Sequence, residues 1–198
     1  QVGLLSTAIS SVVGTLLGAI AGFYGKTLDN IIMRIVDVML AIPAILLAIS
    51  IAAALGPGLG NVMIAVSIGA IPSFARIVRA GVLTVKEQEF VEAARACGAS
   101  DLRIILKHIL PNCMATIIVQ ATLGVASAIL STSGLSFIGL GISPPTPEWG
   151  AMLSAGRQYI RDYSYIVLFP GLAIAITIFA LNLFGDGLRD ALDPRLKT

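Results

Sequence analysis

The sequence predicts an all-α integral membrane protein with five transmembrane helices. Three observations carry that expectation. Of 198 residues, 57% are hydrophobic and only 12% charged, with a mean hydropathy of +0.93, whereas soluble domains carry roughly 25% charged residues. Residues 1–25, 38–75, 112–147 and 163–185 contain no Asp, Glu, Lys or Arg. None of these tracts alternates with period two, so helices rather than a barrel must satisfy the backbone in lipid.

A spanning helix needs about 20 apolar residues to cross a hydrocarbon core of about 30 Å. The first tract supplies one helix, residues 4–23, on which Ser10, Gly14, Gly18 and Gly22 recur every four residues. That small-residue face suits close packing inside the protein, with a dimer seam as the other reading. Tract 38–75 is too long for one crossing, and Gly56-Pro57-Gly58-Leu59-Gly60-Asn61 breaks it into a hairpin of helices 32–55 and 60–82. Helices 113–138 and 164–186 follow. Pro43, Pro72 and Pro170 are candidate kinks. Arg34 and Asp37 stand three apart and read as an intrahelical ion pair.

Orientation follows from Lys and Arg. Alternate crossings put Lys26, Arg34, Arg76, Arg79, Lys86, Arg95, Arg103, Lys107, Arg189, Arg195 and Lys197 on one side, and only Arg157 and Arg161 on the other. The first side is then cytoplasmic, and Gln1 lies outside. A complete protein with a cytoplasmic N-terminus needs one more helix upstream, so the sequence reads as a fragment lacking a first span. The extracytoplasmic segment 142–163 holds Pro144, Pro145, Pro147, Trp149, Tyr159 and Tyr163. A short helix over 149–160 is expected at the membrane interface there, as an anchor or as part of a gate.

The polar insert, residues 84–111, differs from everything around it. Glu87, Glu89 and Glu92 suit the first turn of a helix, where the dipole is positive. Phe90, Ala93, Ala94 and Cys97 form one apolar stripe, and Gly98 fits a left-handed cap. Ser100 or Asp101 can start a second helix with Leu102, Ile105, Leu106 and Ile109 on one face. Pro111 marks the start of the next span. Periodicity alone leaves two uses open: a partner's groove or the membrane surface. Cys97 and Cys113 are expected to be reduced and structural.

Glu92-Ala93-Ala94, then Gly98, then Leu110-Pro111 resembles the EAA loop of bacterial ABC importer permeases. That pattern is a Glu-Ala-Ala triplet, a glycine four positions after its last alanine, and Ile-x-Leu-Pro at its end. His108 stands where the general pattern has isoleucine, as in the peptide and nickel subgroup. The run Gly134–Gly141 with Pro144–Gly150, and the tail Gly185–Arg195, are similar to the "C" type subunit of the dipeptide/oligopeptide permease family. The resemblance implies a type I ABC importer permease architecture and a single permease domain over residues 1–198. It also implies a pore-forming subunit without its own ATPase site, in the bacterial cytoplasmic (inner) membrane. Implied partners are a second homologous permease subunit, two cytoplasmic ATPase subunits and an extracytoplasmic solute-binding protein. Glu92, Ala93, Ala94, Gly98, Leu110 and Pro111 would form the ATPase-coupling element. Di- or oligopeptides are the implied cargo, with nickel or another small solute as the alternative; no cofactor is implied in this chain, ATP being held by the partners.

Other classes fit less well. An ion-coupled secondary transporter places a carboxylate near mid-membrane, and the deep parts of all five expected spans lack one. A channel calls for a filter loop or charged ring. Gly25-Lys26-Thr27 has Ile20 where a phosphate-binding loop needs its first glycine, and no strand precedes it. The sole histidine, His108, has no second histidine to share a metal. A net charge of +2 gives nucleic acid nothing to grip. Asn61, Gln120, Ser127, Ser131 and Asn182 are polar groups in or near spans, each able to face a pore or to bond a neighbouring helix.

Overall fold

The computed structural model describes residues 1–142 and 144–192, and its regular elements there are all helical. Helix α1 (Val2–Tyr24) is followed after Gly25 by α2 (Lys26–Ala41), α3 (Ala44–Leu55) and α4 (Leu59–Val85). The polar insert carries α5 (Glu89–Ala96) and α6 (Asp101–Ile104), and α6 continues through a π turn (Ile105–Ile109) into α7 (Leu110–Phe137). A short α8 (Trp149–Gly156), a 3-10 turn (Arg157–Tyr159) and the long α9 (Tyr165–Leu192) complete the described chain. Four helices are long and apolar enough to span a membrane, and α2 with α3 makes a fifth candidate as a bent pair.

Helix α1 lies against α4 so closely that its glycines have no substitute. A Cβ built on Gly14 would come 2.4 Å from the Phe74 Cβ, and one on Gly18 would come 2.4 Å from the Ala75 carbonyl oxygen. The small-residue face is therefore used inside the chain. Two buried serines stitch the same interface: Ser6 Oγ donates to the Met63 carbonyl at 3.2 Å, and Ser67 Oγ lies within bonding distance of both the Ser6 and Met63 carbonyls. Without a hydrophobic drive between helices in lipid, close backbone approach and such bonds hold the bundle. The opposite surfaces of α1 and α9 expose Leu4, Val12, Leu16, Phe169, Ile176 and Phe179, an apolar coat suited to lipid tails.

One expected boundary is corrected. The single helix 32–55 is two helices meeting at 90°. Pro43 cannot donate to the helix ladder, and it forces Ile42 into an extended conformation at φ −94°, ψ 127°. Pro72 and Pro170, in contrast, sit buried within unbroken α4 and α9. Pro111 stands as expected in the first turn of a span, α7, and the preceding turns lead into it so that residues 101–137 run on as one long helix. The π turn ends at Ile109, and Pro111 falls in the first turn of α7, where a helix N–H has no partner to lose; the Asn112 side chain donates to the His108 carbonyl at 2.6 Å.

The far end of α7 is closed by glycine. Gly139 adopts φ +84°, its N–H bonds the Ser136 carbonyl, and the Leu140 N–H reaches the Leu135 carbonyl at 2.9 Å. That is the Schellman pattern of helix termination. Gly141 then passes against Ser136, where any Cβ would sit 2.1 Å from the hydroxyl oxygen. Helix α8 docks next, its Gly150 against the Ser133 backbone. Of the tail, Asp193-Pro194-Arg195 and Lys197 lie outside the described residues.

Candidate functional site

The insert end of the bundle is built on an apolar core. Ala19 of α1, Val78 and Val82 of α4, Ile104, Ile105 and Ile109 of the α6 segment, and Cys113 and Ile117 of α7 are buried together. Helix α5 joins this core through one residue, Val91, which is 1% exposed, with Ala94 and Ala99 packed beside it. Its C-terminus is set by Gly98 at φ +79°. The Gly98 N–H bonds the Arg95 carbonyl at 3.0 Å, and the Ala99 N–H bonds the Ala94 carbonyl at 3.1 Å. This is again a Schellman end, and the flanking Ala94 and Ala99 supply its usual apolar contact.

The face of α5 turned outward is the one the periodicity marked as a stripe. Phe90 is 42% exposed, and Ala93 and Cys97 are exposed with it. Ala94 alone of that stripe faces the core. The reason is geometric: Val91, Ala94 and the residue after the cap point the same way once Gly98 reverses the chain. In the following segment Ile104, Ile105 and Ile109 face inward, while Leu102 and Leu106 are exposed. The expected single face of Leu102, Ile105, Leu106 and Ile109 is thereby corrected. Glu92 and Glu89 stand in the first turn of α5, and Glu92 is exposed. Leu110 packs on the core and Pro111 sits exposed at the start of α7.

Ionic contacts tie this end together. Arg79 of α4 holds Asp29 of α2 through two bonds of 2.5 and 2.6 Å. Lys86 Nζ donates to the Gly22 carbonyl at the end of α1 at 2.9 Å. The Arg95 guanidinium lies 5.9 Å from the centre of the Phe23 ring, within range of a cation–π contact. Asp37 pairs with Arg76 of α4 at 2.7 Å rather than with Arg34, so the expected intrahelical pair is replaced by an interhelical one. Helix α2 packs against α4 and so brings Asp37 across to it, which spacing along one helix cannot reveal.

The remaining candidates separate. Gln120, Ser127 and Ser131 come together with Ser73 around a cavity of about 200 Å³ between α3, α4 and α7. Asn61 instead donates to the Leu55 and Gly56 carbonyls and closes the turn after α3. Asn182 is exposed on α9. Cys97 is exposed and Cys113 buried, both as free thiols. Among the described residues no three His, Cys, Asp or Glu side chains are placed to hold a metal. Sequence reasoning missed Val91, whose signal was its spacing to Ala94, and the Asp29–Arg79 pair, for which the sequence carries no local signal.

The described chain is a polytopic helical bundle of the membrane-spanning class, with a short amphipathic helix seated at one end. Residues 14–198 match the family described as binding-protein-dependent transport system inner membrane component, and the chain belongs to that family. It is 52% identical over 198 residues to the dipeptide transport system permease protein DppC of Alkalihalophilus pseudofirmus, covering 100% of this chain and 65% of that one. It is 51% identical over 196 residues to the di/tripeptide transport system permease protein DppC of Pseudomonas aeruginosa, covering 99% and 65%. Over 195 residues it is 51% identical to the glutathione transport system permease protein GsiD of Escherichia coli, covering 98% and 64%. The chain thus spans 65% of the length of the first of these curated relatives. Its fold is that of a chain of the inward-facing MetNI methionine ABC transporter, with a TM-score of 0.71 at 21% identity over 97% of this chain and 93% of that one.

Proposed function

We propose that the full-length protein is a pore-forming subunit of an ATP-driven importer for short peptides, moved by separate ATPase subunits that grip α5. The observation carrying this reading is the seating of α5. It is anchored by Val91 and the Gly98 turn, yet it presents Phe90, Ala93 and Cys97 to solvent. A helix fixed on one face and unpartnered on the other suits a groove in another protein. Glu92 is positioned to meet polar groups at that groove's rim, the alanines allow close approach, and Gly98, Leu110 and Pro111 hold the geometry between α5 and α7.

Because α5 shares a core with α1, α4 and α7, a push on it moves those helices as one body, and the bundle can alternate between two packings. The partners are two cytoplasmic ATPases, a second homologous permease and an extracytoplasmic binding protein, and the insert faces the cytoplasm. The charge asymmetry of the loops supports that orientation. Relatives named for dipeptide, di/tripeptide and glutathione transport support a short-peptide cargo. The neutral hydrogen-bonding groups around the Gln120 cavity suit a conduit wall for such a backbone. The test is uptake of a labelled dipeptide into vesicles holding the assembled transporter, with ATP supplied on the α5 side. Uptake that proceeds without ATPase subunits would sink the reading.

A further inference from the structure

Two ion pairs join α2 to α4, and they are built differently. Arg79 closes on Asp29 with two bonds, and only 31% and 14% of those side chains is exposed. Arg76 gives Asp37 a single bond, Nη2 to Oδ1 at 2.7 Å, and 57% and 54% of these side chains stays exposed. A guanidinium carries five N–H donors, so most of the capacity of Arg76 is unused. Half-exposed charges on a helix of spanning length do not suit lipid tails; such groups face protein, water or a substrate path.

Arg76 does not stand alone. Ser73 precedes it by three residues on α4, a spacing that puts two side chains on one face, and both are exposed. Ser73 lines the cavity of about 200 Å³ with Gln120, Ser127 and Ser131 of α7. A second cavity, of about 470 Å³, continues from Gln120 past Ile77, the residue after Arg76. A polar track thus runs along α4 and α7 and ends, toward α5, at the Asp37–Arg76 pair. Its charge has one sign. Among the described residues no carboxylate lines either cavity, and Arg189 is the one formally charged side chain in the two linings. Arg34 lies three residues from Asp37 on α2, is exposed, and makes no ion pair among the described residues. Two cations beside one carboxylate leave an excess positive charge, which is complementary to an anion.

We propose that the Arg76 guanidinium is a binding position for the carboxylate terminus of a short peptide moving along this track, with Asp37 holding the guanidinium when no peptide is there. The planar fork of arginine matches a carboxylate, and the serine and glutamine side chains beyond it suit the peptide's amides. The inference rests on the importer reading above.

The test measures binding of tritiated diglycine to the complete transporter in phosphatidylcholine nanodiscs, without binding protein or nucleotide. Unlabelled diglycine should compete, and glycylglycinamide, whose carboxylate is blocked, at least tenfold more weakly. Arg76→Gln should weaken diglycine at least tenfold and erase that discrimination, while Arg76→Lys, which keeps the charge, should lose only several-fold. Asp37→Asn breaks the same ion pair but leaves the guanidinium, and should bind diglycine at least as tightly as wild type. A purely structural pair would instead make the two losses alike. The proposal is overturned if no saturable binding is found, if the amide competes as well as diglycine, or if Asp37→Asn and Arg76→Gln weaken together. It is also overturned if Arg76→Gln binds as wild type, which would give this face to a neighbouring subunit or to lipid. ATP-driven diglycine uptake by the wild type is measured alongside. Normal uptake without the expected binding pattern would leave the importer reading standing and this site lost, whereas absent uptake would remove the reading itself.

Discussion

Arg79 on α4 grips Asp29 on α2 with two nitrogens at once, Nε and Nη2, one to each carboxylate oxygen. The pair is partly sheltered, with 31% and 14% of the two side chains exposed. Helix α2 has only Val36 buried along its length, so this bidentate contact does much of what packing does elsewhere. Removing one partner strands a sheltered charge, which costs more than the pair contributes when intact. Asp29→Asn should therefore destabilise the detergent-solubilised protein by roughly 1–3 kcal/mol. A matching Arg79→Gln change on top of it should cost little more. The check is a double-mutant cycle on thermal unfolding, and purely additive losses would refute the coupling.

Val91 and Phe90 are neighbours on α5 with opposite duties. Val91→Ala removes buried methyl groups from the core beneath the helix and should cost about 1–3 kcal/mol. Phe90→Ala removes an exposed ring and should change the stability of the isolated subunit by less than about 0.5 kcal/mol. In co-purification, the same Phe90→Ala change should strip most ATPase from the complex, as loss of an aromatic anchor does. A Phe90 variant that retains ATPase at wild-type stoichiometry would move the docking surface elsewhere.

Gly18 and Gly60 test the packing of α1 on α4. A Cβ at Gly18 meets the Ala75 carbonyl oxygen at 2.4 Å, whereas one at Gly60 has nothing within 4 Å. Backbone cannot swing aside as a side-chain tip can, so Gly18→Ala should cost about 3 kcal/mol or prevent folding. Gly60→Ala, in the first turn of α4, should be neutral or slightly stabilising. Unfolding midpoints of the two variants in one detergent decide the matter. Equal midpoints would mean that α1 does not lie where the structure has it.

The spans were legible in the sequence because charge is excluded from lipid, and that exclusion shows residue by residue. The Gly98 turn was legible too, since glycine there ends an apolar stripe and precedes Ser100 at the N-cap position of α6, although the Ser100 side chain makes no capping bond. What periodicity could not supply was direction. Phe90, Ala93 and Cys97 formed a valid stripe, but only the path of the chain after Gly98 decides whether a stripe faces the core or the solvent. Pro43 and Pro72 make the same point: one sits at a 90° bend between two helices, while the other is buried inside the unbroken α4. The difference lies in what packs around each, not in the proline. Pairings such as Asp29–Arg79 and Asp37–Arg76 span 50 and 39 positions, beyond the reach of any local pattern.

Gly98 bears on the central claim most directly. Its φ of +79° is a conformation that a β-branched residue enters only at a cost of about 1–2 kcal/mol. Gly98→Val should thus leave membrane insertion intact while misaiming α5 against its motor. The measurement is ATP-driven uptake of a labelled dipeptide into proteoliposomes containing the complete transporter, read alongside ATP hydrolysis in the same vesicles. Gly98→Val is expected to hydrolyse ATP with at least tenfold less uptake per ATP than wild type. Undiminished coupling in that variant, or dipeptide entry through the subunit with no ATPase present, would contradict it.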